Sequence, residues 1–260
     1  MQRHFWEEKL AEQLFDLEKD RDEIHNLADS PEHREILNRL RRAQQDWAVR
    51  IRDVGFLPEG EVHSRAGDDT PYEMAQDPEG YPLLRILGAA ELASSLRPRS
   101  ISTLRGMLTD SHSAVRNWAE LGLPMRGEEA VSAAREHLLA LYADEAAYPP
   151  LTAAHALATF GKTEDLGPAV GTLLDAANQD HQPLFENLWA WNALDDLGTK
   201  IAPWLEELRE LNAVLPKGVD GRLKAYAPNL RRVILRRLDP SYKEPKKPKN
   251  RRIPASSERR

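Results

Sequence analysis

Between residues 81 and 238 apolar positions recur in segments of about 12 to 18 residues at helical spacing, divided by short breaks. Strand signals are almost absent there. The spacing predicts an opening helix from Tyr81 to Leu96 and then four helix pairs: 100–110 with 112–126, 129–143 with 150–160, 166–178 with 183–197, and 201–213 with 220–237. The segments repeat. Ala156-Leu157-Ala158-Thr159-Phe160-Gly161 matches Ala193-Leu194-Asp195-Asp196-Leu197-Gly198, 37 residues on, and Gly122-Leu123-Pro124-Met125-Arg126-Gly127 stands one unit earlier at an offset of 34. Each closing glycine suits the left-handed position that ends a helix. A two-helix unit of this length predicts an α-α solenoid, in which no pair buries its apolar faces alone.

The first 80 residues differ. Glu12-Gln13-Leu14-Phe15-Asp16-Leu17 alternates polar and apolar, which predicts a short half-buried strand. A charged turn follows at 18–23, and Ile24, Leu27 and Ala28 then recur at helical spacing. Ser30 and Pro31 open a long helix over 31–53. Its apolar stripe runs Ile36, Leu40, Ala43, Trp47, Ile51, and the opposite face carries Arg34, Arg39, Arg41, Arg42 and Arg50. That arginine face reads as solvated, with a binding patch as the alternative. Glycines and prolines interrupt every pattern over 54–80, which predicts an irregular connection or a segment packed on another domain. The expected division is therefore 1–58, a linker 59–80, a helical repeat region 81–238, and a basic, proline-broken tail 239–260. The tail's composition favours disorder, as a solubilising segment or as a contact for an anionic surface or glycan.

Composition narrows the chemistry. The absence of cysteine removes disulfides, cysteine-ligated zinc and a cysteine nucleophile. The 42 acidic against 36 basic side chains argue against tight nucleic-acid binding, although a patch containing Arg231, Arg232, Arg236 and Arg237 leaves it as a weaker reading. No apolar run reaches the ~20 residues of a membrane helix, and the N-terminus does not read as a signal peptide. The compartment is not fixed by these features.

Three stretches carry a resemblance. The first is Phe5-Trp6, then Glu12-Gln13-Leu14-Phe15-Asp16-Leu17-Glu18-Lys19-Asp20, then Glu23-Ile24-His25-Asn26-Leu27-Ala28. It resembles the pattern E-E-L-Y-D-L-x-x-D-P-x-E-x-x-N-L-A near the C-terminal end of many sulfatases, with Phe15 in place of tyrosine and Arg21 in place of proline. The second, Trp47-Ala48-Val49-Arg50-Ile51-Arg52-Asp53-Val54-Gly55-Phe56-Leu57-Pro58-Glu59, is similar to the closing helix of a sulfatase subgroup, W-x-x-x-x-R-D-x-G-x-x-P-E. The third, Asp110-Ser111-His112-Ser113-Ala114-Val115-Arg116-Asn117-Trp118-Ala119, resembles the HEAT-like pattern D-x-x-x-x-V-R-x-W-A that this subgroup carries after its catalytic module. The resemblance implies a mainly α chain: a HEAT-like solenoid preceded by a remnant strand and long helix of a sulfatase C-terminal subdomain. That strand would lack its partners, so the first 30 residues are expected to be poorly ordered. An intact parent would be an exported sulfuric ester hydrolase.

The same resemblance states what is missing. Sulfatases use an aldehyde hydrate made from cysteine or serine within C/S-x-P-x-R, a calcium ion held by Asp and Asn, and cations that grip the sulfate. Here Ser95-Leu96-Arg97-Pro98-Arg99 places its proline one position late and reads as an interhelical loop. Asp68-Asp69 and Asp195-Asp196 do not fit the calcium pair, which belongs on an early strand. The histidines His4, His25, His33, His63, His112, His137, His155 and His181 form no close metal-ligand spacing, and His155 reads as structural. No catalytic, cofactor-binding or metal residue is therefore expected, and calcium only in an intact parent. The expected partner is a protein or the missing catalytic domain, with a free-standing HEAT-like adaptor as the alternative. Trp189, Trp191 and Trp204 are expected between helices, with a tryptophan-lined ligand groove as the other possibility.

Overall fold

The computed structural model describes residues 10–180, 183–214, 221 and 223–243. Among the described residues there are twelve α-helices and no strand. They are α1 (Arg34–Ile51), α2 (Glu59–Ala66), α3 (Pro71–Gln76), α4 (Leu83–Ser94), α5 (Ile101–Met107), α6 (Ser113–Gly122), α7 (Glu128–Ala140), α8 (Tyr148–Phe160), α9 (Thr163–Ala177), α10 (Leu184–Asp196), α11 (Leu205–Glu210) and α12 (Tyr226–Leu238). The four sequence-predicted pairs correspond to α5/α6, α7/α8, α9/α10 and α11/α12. No helix among the described residues is long and apolar enough to cross a membrane. The basic stretch 246–252 lies outside the described residues.

The helices from α4 onward form two rows. In one row α4 packs on α6, α6 on α8, α8 on α10 and α10 on α12. On the other side α5 packs on α6 and α7, α7 on α8, α9 on α8 and α10, and α11 on α12. The central helix α8 is buried nearly all round, and its small residues Ala153, Ala154, Ala156 and Ala158 permit that crowding. Leu138, Leu157, Leu173, Trp191, Leu194 and Ile201 fill the space between rows.

A recurring turn joins the members of each pair. Asp110, Asp144, Asn178 and Asn212 stand 34 residues apart, between α5 and α6, α7 and α8, α9 and α10, and α11 and α12. In each, the side-chain Oδ1 accepts from the backbone N–H two residues on, at 2.8, 2.9, 3.3 and 3.0 Å. These aspartates and asparagines hold a turn that an apolar residue cannot. Asp77 does the same for Glu79 between α3 and α4, at 2.9 Å. Successive turns are also tied together. Arg116 donates to the Asp110 carbonyl at 2.8 Å and to the Asp144 carboxylate at 2.6 Å. Gln179 N–H donates to the Asn212 carbonyl, and Asn212 Nδ2 to Asp180, both at 2.9 Å.

Several expectations are corrected. Residues 12–17 are not a strand, because no partner strand is present among the described residues. They close instead into a loop around Asn26, which accepts from Leu14 N–H at 2.9 Å and donates to the Glu12 carbonyl at 3.0 Å. Leu27 N–H adds a bond to the Leu14 carbonyl at 2.7 Å. The expected irregular segment 54–80 contains α2 and α3, and Leu57, Ala75 and Tyr81 join α4 and α6 in one apolar cluster. Local glycines and prolines there mark helix ends, not an unstructured link. Gly127 and Gly198 have positive φ, 80° and 58°, but Gly161 is extended at φ −74°. Glycine is needed at 161 for space, since a Cβ would lie 2.4 Å from the Leu157 carbonyl oxygen.

The largest departure concerns α1. Its sequence stripe faces outward: Ile36, Leu40, Ala43, Trp47 and Ile51 are exposed, while Leu37 and Ala48 are buried. The inner face is more polar, with Arg41 bridging to Glu12 and Gln45 bonded to Glu91 at 2.5 Å. Arg50, assigned to the opposite face, lies over the Trp47 ring at 4.6 Å. At the helix end Arg52 takes a left-handed conformation, donates to the Ala75 and Tyr81 carbonyls, and lies near the Tyr81 ring. Asp53 then caps the next turn through Gly55 N–H at 2.9 Å. The Arg-Asp-x-Gly stretch is thus the joint that sends the chain from α1 into the helical rows.

The Arg116–Asp144 pair is nearly enclosed, with side chains 14% and 8% exposed. Breaking such a pair leaves an uncompensated charge, so Asp144→Ala is expected to cost about 3–5 kcal/mol and lower the melting midpoint by roughly 10 °C. Thermal denaturation followed by circular dichroism checks this, and a shift under about 1 °C would remove the pair from any role in joining the turns.

Candidate functional site: an aromatic groove over buried carboxylates

A groove of about 530 Å³ crosses the row α6, α8, α10 and is bounded by residues 56–59 and by the start of α12. Each wall follows from helical spacing. Asn117, Trp118 and Leu121 share one side of α6, and Phe185, Leu188, Trp189 and Asn192 recur at intervals of three, one and three on α10. Phe56, Tyr148 and Tyr226 bring the aromatic side chains to six, and among the described residues Glu59 is the only charged one in the lining.

The rings are held from behind. Trp118 Nε1 donates to the Phe56 carbonyl at 2.8 Å. His63 stacks on Phe185 with centroids 5.1 Å apart. His155 meets the Trp189 edge at 5.8 Å and places Nε2 2.8 Å from Asp196. Beneath the groove, Gly60 N–H donates to the Tyr148 hydroxyl at 3.1 Å. A Cβ there would stand 2.4 Å from that hydroxyl and 2.6 Å from Glu186 Oε1, so any larger residue must displace both side chains.

Carboxylates gather around this contact. Glu61 is buried, pairs with Arg65 at 2.8 Å and accepts from Ser113 at 2.8 Å. Glu186 is buried, and its Oε2 has no hydrogen-bond partner. Burial pushes the Tyr148 phenol well above its ordinary range, and Glu186, Glu61 and Glu59 add to the shift. Glu120 on α6 is wholly enclosed with both oxygens unpartnered. Burial holds its carboxyl well above the usual range, with Asp144 and Glu61 reinforcing the shift and Arg116 opposing it. Burial also lowers His112, which caps α6 through Ala114 N–H.

The residues singled out by sequence are scattered. Trp191 is buried, Trp204 packs against the core, and Trp189 lines the groove, so the structure divides the three between packing and lining. Ser95 ends α4, bonded to the Leu92 carbonyl, and Pro98 begins a short 3-10 turn, as an interhelical loop requires. Neither aspartate pair offers a calcium shell: Asp195 is ion-paired with Arg237 at 2.9 Å, Asp196 lies against His155, and Asp68 and Asp69 are exposed after α2. Among the described residues no three histidine or carboxylate side chains converge to hold a metal ion. His4 and His181 lie outside the described residues. Of the arginines on α12, Arg231 donates to the Leu208 and Arg209 carbonyls and Arg237 to that of Asp195, so both serve neighbouring helix ends. Sequence reasoning missed Phe56, Glu59, Trp118 and Phe185; the 185, 188, 189, 192 recurrence was the available signal. No family model, curated relative or solved structure matches the chain.

Glu120 makes stability pH-dependent. Its folded pKa lies above the unfolded value of 4.5, so between those values the folded state binds more protons and stability falls as pH rises. Glu120→Gln is expected to flatten that slope and to raise the midpoint near pH 8 by several degrees, relieving roughly 1–3 kcal/mol of desolvation. Melting curves from pH 4 upward check both outcomes.

Proposed function

We propose that this chain is the C-terminal scaffold of a sulfatase-type hydrolase. In this reading 1–58 completes the smaller sulfatase subdomain, 81–238 is a HEAT-like solenoid, and the sulfate-cleaving groups belong to a catalytic module outside this chain. The observation that carries it is the outward apolar stripe of α1. Seven of the fourteen exposed large apolar side chains fall within residues 10–51, so the exposure is concentrated where the sulfatase-like motifs lie. Contiguous exposed apolar surface marks an interaction site. A missing sheet laid on α1 would cover Ile36, Leu40, Trp47 and Ile51, and could extend to Leu10 and Leu17. The two-row packing of α4–α12 and the 34-residue turn recurrence support the repeat half. Calcium would enter only with the catalytic module.

The test is the coding sequence directly upstream. An open frame carrying C/S-x-P-x-R supports the reading, and an unrelated neighbour counts against it. The chain alone is expected to hydrolyse no aryl sulfate above buffer with calcium present; turnover abolished by one replacement in this chain would overturn the missing-module argument. Ile36→Glu with Trp47→Glu is expected to leave the isolated chain's stability within about 0.5 kcal/mol, since the stripe contacts solvent. A large loss in urea denaturation would show that the stripe is already buried.

A second reading, a free-standing HEAT-like adaptor, is favoured by the aromatic groove, whose walls come mostly from α6, α8 and α10.

A further inference from the structure

The groove carries charge as well as rings. Glu59 stands in its lining and Glu186 lies buried nearby, whereas the buried Glu61 is compensated by Arg65. No lysine, arginine or histidine is part of the lining among the described residues. The faces of aromatic rings are themselves negative. The rings and Glu59 therefore present one sign of potential to an occupant. An anionic ligand is repelled, a neutral sugar uses the rings but not the charge, and a cation gains from both.

The shape narrows the class further. The groove runs from residues 56–59 across three helices to Tyr226 on α12. With helix axes about 9 Å apart, that is a path of roughly 25 Å. An extended polyproline segment, rising about 3.1 Å per residue, covers it with about eight residues. Such segments dock on aromatic grooves because their conformation is formed in advance. We propose that the groove is the docking site for a basic, proline-containing segment of a partner protein, with its lysine or arginine side chains set against the rings of Trp118, Trp189 and Tyr226 and its charge opposed by Glu59. This site does not depend on the sulfatase reading.

The experiment titrates the full chain with two synthetic decapeptides, one alternating proline and lysine, the other alternating proline and glutamate, and with a neutral chitin hexasaccharide. Tryptophan fluorescence and calorimetry report binding. The basic peptide alone is expected to bind, weakening several-fold or more, roughly, between low and high salt. Tyr226→Ala and Glu59→Gln, at side chains 55% and 70% exposed, are each expected to weaken it by about three- to tenfold with unchanged melting. No binding of the basic peptide, equal binding of both peptides, binding of the sugar alone, or affinity indifferent to both substitutions would overturn the proposal.

Discussion

A helix pair of this length has apolar residues on more than one flank, and a single neighbour covers only one of them. Among the described helices each pair covers apolar surface of its neighbour. The constraint explains why α8, in the middle of the array, is alanine-rich and enclosed, and why polar joints recur where pairs meet. Arg116 shows the principle at one residue. It reaches the carbonyl of its own turn and the carboxylate of the following one, so one guanidinium holds both the conformation of a unit and its distance from its neighbour.

The same constraint makes α1 stand out. A helix with the periodicity of 31–53 should turn its stripe inward, and the stripe is plainly legible in the sequence. Its direction was not, because direction depends on what lies opposite. Among the described residues α1 meets the edge of the array near α4 and the loop before it, and the contacts near α4 suit Leu37, Ala48 and Val49 better than Trp47. Alternation over 12–17 misled for a related reason. Strand geometry is completed by a second strand, and the loop around Asn26 satisfies those backbone groups locally when none is present.

The helix pairs could be read because their 3.6-residue period is a property of each segment taken alone. The 34-residue recurrence of Asp110, Asp144, Asn178 and Asn212 was equally present in the letters, yet two aspartates and two asparagines become equivalent only once their side chains are seen closing the same turn. The groove was harder to read. Its walls come from α6, α8, α10 and the residues before α2, which are separated by more than a hundred positions, and Trp118 looked like part of a repeat motif as much as a lining residue. Glu120 gave no signal at all, since burial of a carboxyl is a fact about neighbours.

Gly60 has a consequence for how this chain can change in evolution. Arrays of stacked units ordinarily lengthen or shorten by copying or losing one unit, because each touches only the next. Here α2 touches three successive pairs at once: Glu61 meets Ser113 of α6, Gly60 meets Tyr148 of α8, and α2 packs on α10 beside Glu186. Inserting or deleting a pair between α6 and α10 would pull these three anchor points out of register with a helix only two turns long.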